Sequence, residues 1–220
     1  MYIPALFNTD MVQALQRTVD PKTQTRRLTG LKLINENPDA WSFTGFGTNP
    51  DNENDKRLYA YFKMKNSDTW TYVRSPYGNV GDVLWVRETW SWEGFEDNYV
   101  YKADGLCLLT DDGKWYPSIF MPKQACRLWL NVTKVRMERL NDISEADAVA
   151  EGIEVIEQDE AYKIYDNRFT GWASYATARG SYFSLFESIN SKEIVNKNPY
   201  VWVYDFEKAD DEKHWQIFNS

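Results

Sequence analysis

The sequence predicts an α+β fold in which many short strands close into a barrel with two or three helices packed on it. Aromatic residues make up 16% of the 220-residue chain, including 10 Trp and 14 Tyr, and aromatics suit pleated, half-buried surfaces. Alternating apolar runs recur between turn signals at 58–64, 70–73, 83–90, 98–102, 126–137 and 200–206. Helical signals, by contrast, are confined to three short stretches near residues 9–17, 144–151 and 182–189.

Each element has a local reason. Asn8 or Thr9 can cap a helix that carries Met11, Val12 and Leu15 on one side and ends before Asp20-Pro21, since the residue before proline is disfavoured in a helix. Residues 34–57 are rich in Asn, Asp, Gly and Pro and read as loop, with an aromatic island at Trp41-Ser-Phe43. Leu58–Met64 and Trp70–Val73, split by Asn66-Ser-Asp68, read as a hairpin, and Val83–Trp90 as one strong strand. The alternation of Cys126, Leu128, Leu130 and Val132 slips by one residue at Lys134-Val135, which predicts a bulge. Ser144-Glu-Ala-Asp147 is a capping-box start and Gly152 a stop, and Phe183, Phe186 and Ile189 form a core-facing helical stripe. No repeat or linker interrupts residues 1–206, so one domain is expected, with 153–180 as an insertion and 207–220 as a charged tail.

Composition narrows the function. The formal charge of −8 argues against coating a phosphate backbone, although a single strand end in a locally positive cleft remains compatible with it. Cys107 and Cys126 form no CxxC pair, Cys126 reads as a buried thiol, and the one histidine is His214. Neither a metal site nor a histidine-dependent triad is expected, and no other cofactor is implied. No apolar run approaches the roughly 18 residues that would span a bilayer, so a cytoplasmic protein without a membrane partner is expected.

Several strings together resemble the ASCH family of the PUA-like superfamily, in particular ASCH-type proteins of bacteria and phages. They are Lys22-Thr-Gln-Thr-Arg-Arg27, Gly81-Asp-Val-Leu-Trp-Val-Arg-Glu88, Ser118–Pro122, Arg139–Gly152 and Asn198–Val203, in family order along the chain. Asp20 stands where the family often has a glycine two residues before the lysine. The resemblance implies a PUA-like mixed or antiparallel barrel whose mouth accepts a nucleobase, a modified nucleoside or a short RNA end. More distantly, the strings resemble bacterial hydrolases of N4-acetylcytidine. That likeness implies catalytic roles for Lys22, Thr25 and Glu151, with Arg27 in the arginine position.

Chemically, threonine is a poor nucleophile unless a base takes its proton, and lysine is such a base only when burial or nearby positive charge lowers its pKa. Residues three apart cannot share a strand face, so a turn would be needed for Lys22 and Thr25 to converge. The plainer reading makes Lys22, Arg26 and Arg27, with Arg17 and Lys32, an anion grip, Thr25 a strand residue or backbone cap, and Glu151 either a solvated helix residue or an ion-pair partner of Lys22. Glu88 and Lys123 are further candidates for ligand contact, at a base edge and a phosphate. Three functions follow: a module binding a nucleoside or single-stranded RNA, an amidohydrolase acting on N4-acylated cytidine, and a phage or prophage interaction module whose aromatic surface meets a protein partner.

Overall fold

The computed structural model describes residues 1–92, 99–105, 113–156, 161–163 and 174–209. The chain begins with β1 (Tyr2–Leu6), α1 (Thr9–Gln16), β2 (Gln24–Arg27), α2 (Lys32–Glu36) and β3 (Trp41–Gly47). It continues through β4 (Tyr59–Met64), β5 (Trp70–Arg74), β6 (Val83–Arg87), β7 (Trp90–Trp92), β8 (Tyr99–Tyr101) and β9 (Trp129–Arg139). Then come α3 (Glu145–Ala150), β10 (Val155–Ile156), β11 (Ala161–Lys163), β12 (Ser174–Tyr175), α4 (Ala178–Asn190), α5 (Lys192–Asn196) and β13 (Tyr200–Lys208).

The organising element is a five-stranded sheet in the order β1-β6-β9-β13-β2. Its first pair is parallel and the rest are antiparallel. Alternation along β13 sorts its side chains between two cores. Trp202, Tyr204 and Phe206 join Phe7, Leu84, Leu130, Val132 and the β3-β4-β5 sheet on one face. Val201 and Val203 pack on the other face against Ala148, Tyr182 and Phe186 of α3 and α4. The fold is thus mixed α+β, as the patterning predicts.

The expected closed barrel is not present as a continuous ladder. Among the described residues no backbone pairing joins β1 to β2, the two edges of the sheet. A side chain spans the gap instead: Arg27 Nη2 donates to the carbonyl of Leu6 at 3.0 Å.

Three local expectations need correction. The stretch read as loop at 34–57 contains part of α2 and the whole of β3. A register shift between Phe43 and Gly45 hides β3's alternation. At Gly47 a Cβ would lie 2.5 Å from the Tyr61 ring, so glycine leaves the place that ring occupies across the strand. The run 83–90 divides, because β6 stays in the main sheet while Trp90 begins a separate pairing with β8. The bulge in β9 falls at Thr133: Lys134 faces Asp205 and Val132 faces Phe206, leaving Thr133 without a partner on β13.

Of the expected charged tail, Glu207 and Lys208 belong to β13, and Ala209 donates its N–H to Trp129. The tail from residue 210, Cys107, His214 and parts of the 153–180 insertion lie outside the described residues. No helix among the described residues is long and apolar enough to cross a membrane.

Candidate functional site

The segment leading into β2 is held straight. Lys22 N–H donates to Ala14 at 2.9 Å and Thr23 N–H to Ala150 at 2.8 Å, while Thr23 O accepts from Phe206 N–H at 2.9 Å. No turn separates Lys22 from Thr25, so side chains alternate from 22 to 27. Lys22, Gln24 and Arg26 face α3, and each makes a polar contact with a residue of α3 or its C-cap. Thr25 pairs with Tyr204 and shares the opposite face with it. The turn that would bring Lys22 and Thr25 together is therefore absent.

Lys22 is 2% exposed, and its Nζ donates to both the carbonyl of Glu151, at 2.6 Å, and its carboxylate, at 2.8 Å. Helix α3 delivers that carboxylate. Ser144 and Asp147 form the capping box at its start, Glu151 is its C-cap, and Gly152 follows at φ +95°. Burial pushes the Lys22 ammonium below its ordinary pKa, and Glu151 acts in the opposite sense. Asp20 does not compete for the lysine: it is exposed and sits at φ +45°, the left-handed conformation that glycine favours.

Arg26 joins Glu151 to a wider network. Its guanidinium reaches Glu151 at 3.3 Å, Glu138 at 3.0 Å and Asp147 at 3.6 Å, and it donates to Gln24 Oε1. Arg136 contacts Glu138, Asp147 and Asp205. Burial raises the Asp147 carboxyl, but hydrogen bonds from Gln24 and Ser144, with the charge of Arg26, outweigh it and bring the pKa down to about 2. Lys22, Arg26 and Glu151 form the buried end of this network and fix its geometry, because removing Glu151 would leave Lys22 buried without an ion-pair partner among the described residues.

Beside the network, at the free edge of β2, lies a cavity of about 240 Å³. Arg26, Arg27 and Glu151 supply its polar lining; Met11, Tyr182 and Phe186 supply apolar and aromatic walls. Arg27 is half-buried, with its guanidinium 5.1 Å from the Phe7 ring and 5.5 Å from Tyr77. Tyr182 is buried, and that burial pushes its phenol well above the ordinary range, keeping it neutral.

The structure thus brings Lys22, Arg26 and Glu151 together, with Lys22 behind the cavity wall, while Arg27, on Thr25's face of β2, lines the cavity from the sheet edge. Thr25 is 1% exposed and its Oγ1 has no partner among the described residues. Glu88 belongs to a separate cluster: both carboxylate oxygens accept from Arg127 at 2.9 Å, and Arg127 also binds Asp104 and stacks 3.8 Å from the Tyr101 ring. Burial raises the Glu88 pKa against the pull of Arg127. Lys123 is exposed on a short 3-10 helix and does not line the cavity. Sequence reasoning missed Tyr182 as a wall residue; of the expected core-facing stripe, Phe186 is buried but Ile189 is 52% exposed, and both line the cavity. It also missed Arg136, Glu138 and Asp205; Arg136 and Glu138 pair along β9, but the contacts that tie them to Arg26 and Asp205 are distant in sequence.

Comparison with family models, curated proteins and solved structures finds no match to this chain.

Proposed function

We propose that the chain is a PUA-like module that binds a nucleobase or nucleoside, free or at a single-stranded RNA end, in the cavity between β2, α3 and α4. On this reading the curved five-stranded sheet is the barrel, open between β1 and β2. The observation that carries it is the lining of one small cavity by two arginines, a carboxylate and aromatic rings. A base offers both donors and acceptors on its edge and a π-face for stacking, which is the complement of that lining. The volume suits one nucleoside rather than an oligonucleotide; cavities for drug-sized ligands begin near about 300 Å³.

Titration with cytidine, N4-acetylcytidine and adenosine, followed by amide chemical shifts, tests it. Saturable shifts at residues around Arg27 and Tyr182 are expected, with about a tenfold affinity loss in Arg27→Ala, the equivalent of about 1.4 kcal/mol. No saturable response to any nucleoside at millimolar concentration would overturn the reading.

A second reading, removal of an acyl group from N4-acylated cytidine, is favoured by the buried contact between Lys22 and Glu151. The Thr25 hydroxyl would attack the acyl carbon while Lys22 takes its proton, Glu151 would protonate the amine that leaves, and water would then free acetate from the acyl-threonine. What opposes it is the placement of Thr25 on the far face of β2. Acetate release from N4-acetylcytidine separates the two readings: turnover by the natural chain that Thr25→Val abolishes would favour the hydrolase.

A further inference from the structure

A second and larger concavity, about 750 Å³, lies between the N-terminal half of β1, the loop before β4 and the segment that joins β5 to β6. Lys56, Arg57 and Arg74 contribute three cationic side chains, against two carboxylates, Asp55 and Asp82. In a chain whose formal charge is −8, this is a local reversal of sign. Ile3, Pro4, Pro76 and Val80 supply an apolar side, and Val80 is 58% exposed.

The two carboxylates are already committed. Asp55 accepts from Arg57 Nε and Nη2, both at 2.6 Å, from Tyr59 Oη at 2.7 Å and from Asn49 Nδ2 at 3.3 Å. The Arg57 guanidinium first, then the Tyr59 hydroxyl, hold its carboxyl well below the usual range, so it stays ionised and turned toward its own loop. Asp82 Oδ2 accepts the Asn79 N–H at 2.8 Å, and its Oδ1 accepts from the Met1 amine at 2.6 Å.

The cations are not matched in the same way. Lys56 and Arg74 are exposed, and their side chains have no hydrogen bond or ion pair among the described residues. Arg57 is fixed by its fork on Asp55 but keeps Nη1 without a hydrogen bond among them. A guanidinium already held in place loses little freedom on gripping a ligand, and planar arginine donors suit phosphate oxygens.

We propose that this groove binds a phosphate-bearing ligand of nucleotide size, at a site separate from the cavity beside β2. Lys56, Arg57 and Arg74 take the phosphate oxygens, and the Ile3–Pro4, Pro76 and Val80 wall takes the sugar or base. A free nucleotide and the phosphates of a short strand share that chemistry.

Isothermal titration with inorganic pyrophosphate, ATP and hexauridylate tests the groove directly, using the natural chain, Arg74→Glu, Lys56→Glu and Lys192→Glu. The last variant makes the same charge change on α5, away from the groove. ATP should bind at least about tenfold tighter than adenosine. Arg74→Glu and Lys56→Glu should each weaken pyrophosphate and ATP by about tenfold or more, with Lys192→Glu close to the natural chain. Hexauridylate tighter than ATP would identify a strand as the ligand, and the reverse order a free nucleotide. The proposal is overturned if none of the three probes binds below about 1 mM, or if Lys192→Glu weakens them as much as Arg74→Glu does. Cytidine binding at the cavity beside β2 should be unchanged in Arg74→Glu, so failure of either site can be told from failure of the other.

Discussion

Thr25 holds a residue type that suits chemistry in an environment that suits packing. Its hydroxyl is buried without a partner beneath the ladder to β13, next to the Tyr204 pairing position. An unpaired buried hydroxyl costs roughly 1–3 kcal/mol, and valine keeps the branched shape without it. Thr25→Val is therefore expected to raise the urea-unfolding stability by about 1 kcal/mol; a loss of that size instead would show that the hydroxyl has a partner worth keeping. At this scale the sequence was informative where chain order mattered. Lys22 and Glu151 do meet across 129 positions, one of the two alternatives the residues left open for Glu151. It was uninformative for Arg26, whose carboxylate partners come from β9 and α3 and leave no local pattern in the Lys22–Arg27 string.

The short helix α3 does two jobs that one glycine makes compatible. It must end on Glu151 while the chain turns back tightly enough to pack against α1 and Lys22. Gly152 at φ +95° provides the turn, and a Cβ there would lie 2.8 Å from the Ala14 Cβ and 3.3 Å from the Lys22 Cβ. Gly81, at φ +86°, has nothing within 4 Å of such a Cβ. The two glycines separate strain from overpacking. Gly81→Ala should cost about 1–2 kcal/mol from backbone strain alone, and Gly152→Ala a further 1–3 kcal/mol from the clash. Equal losses in thermal unfolding would mean that the contact with Lys22 does not constrain the site. Elements with caps or uninterrupted alternation were legible: α1 begins at its Asn8 cap, α3 at its capping box and β13 at Tyr200. β3 was not, because a register shift and two glycines erase its period and only pairing with β4 makes it a strand.

For the whole molecule, the formal charge of −8 limits how the proposed phosphate-bearing ligands can be met. Whether the five-stranded sheet closes on itself could not be read from the sequence, because closure depends on how far a twisted sheet curls, and the structure leaves an edge that Arg27 bridges. The cavity at that edge and the groove at Arg74 are each lined by one more cationic than anionic side chain, against a chain total of −8. A duplex presents phosphates along its whole length, so a surface of this sign should repel most of what the groove attracts. Binding to generic duplex DNA is expected to be weaker than about 10⁻⁴ M at physiological salt, the weak end of non-specific association. A short single strand should bind with a shallow salt dependence, because the three groove cations can neutralise at most three phosphates. At roughly −0.7 per phosphate on a single strand, the slope of log K against log salt should fall between about −0.7 and −2.1. Anisotropy titrations of labelled hexauridylate and a 20-base-pair duplex at four salt concentrations measure both quantities. A duplex bound tightly with a slope steeper than about −5 would require a far larger basic surface than these two sites supply, and would place recognition elsewhere on the chain.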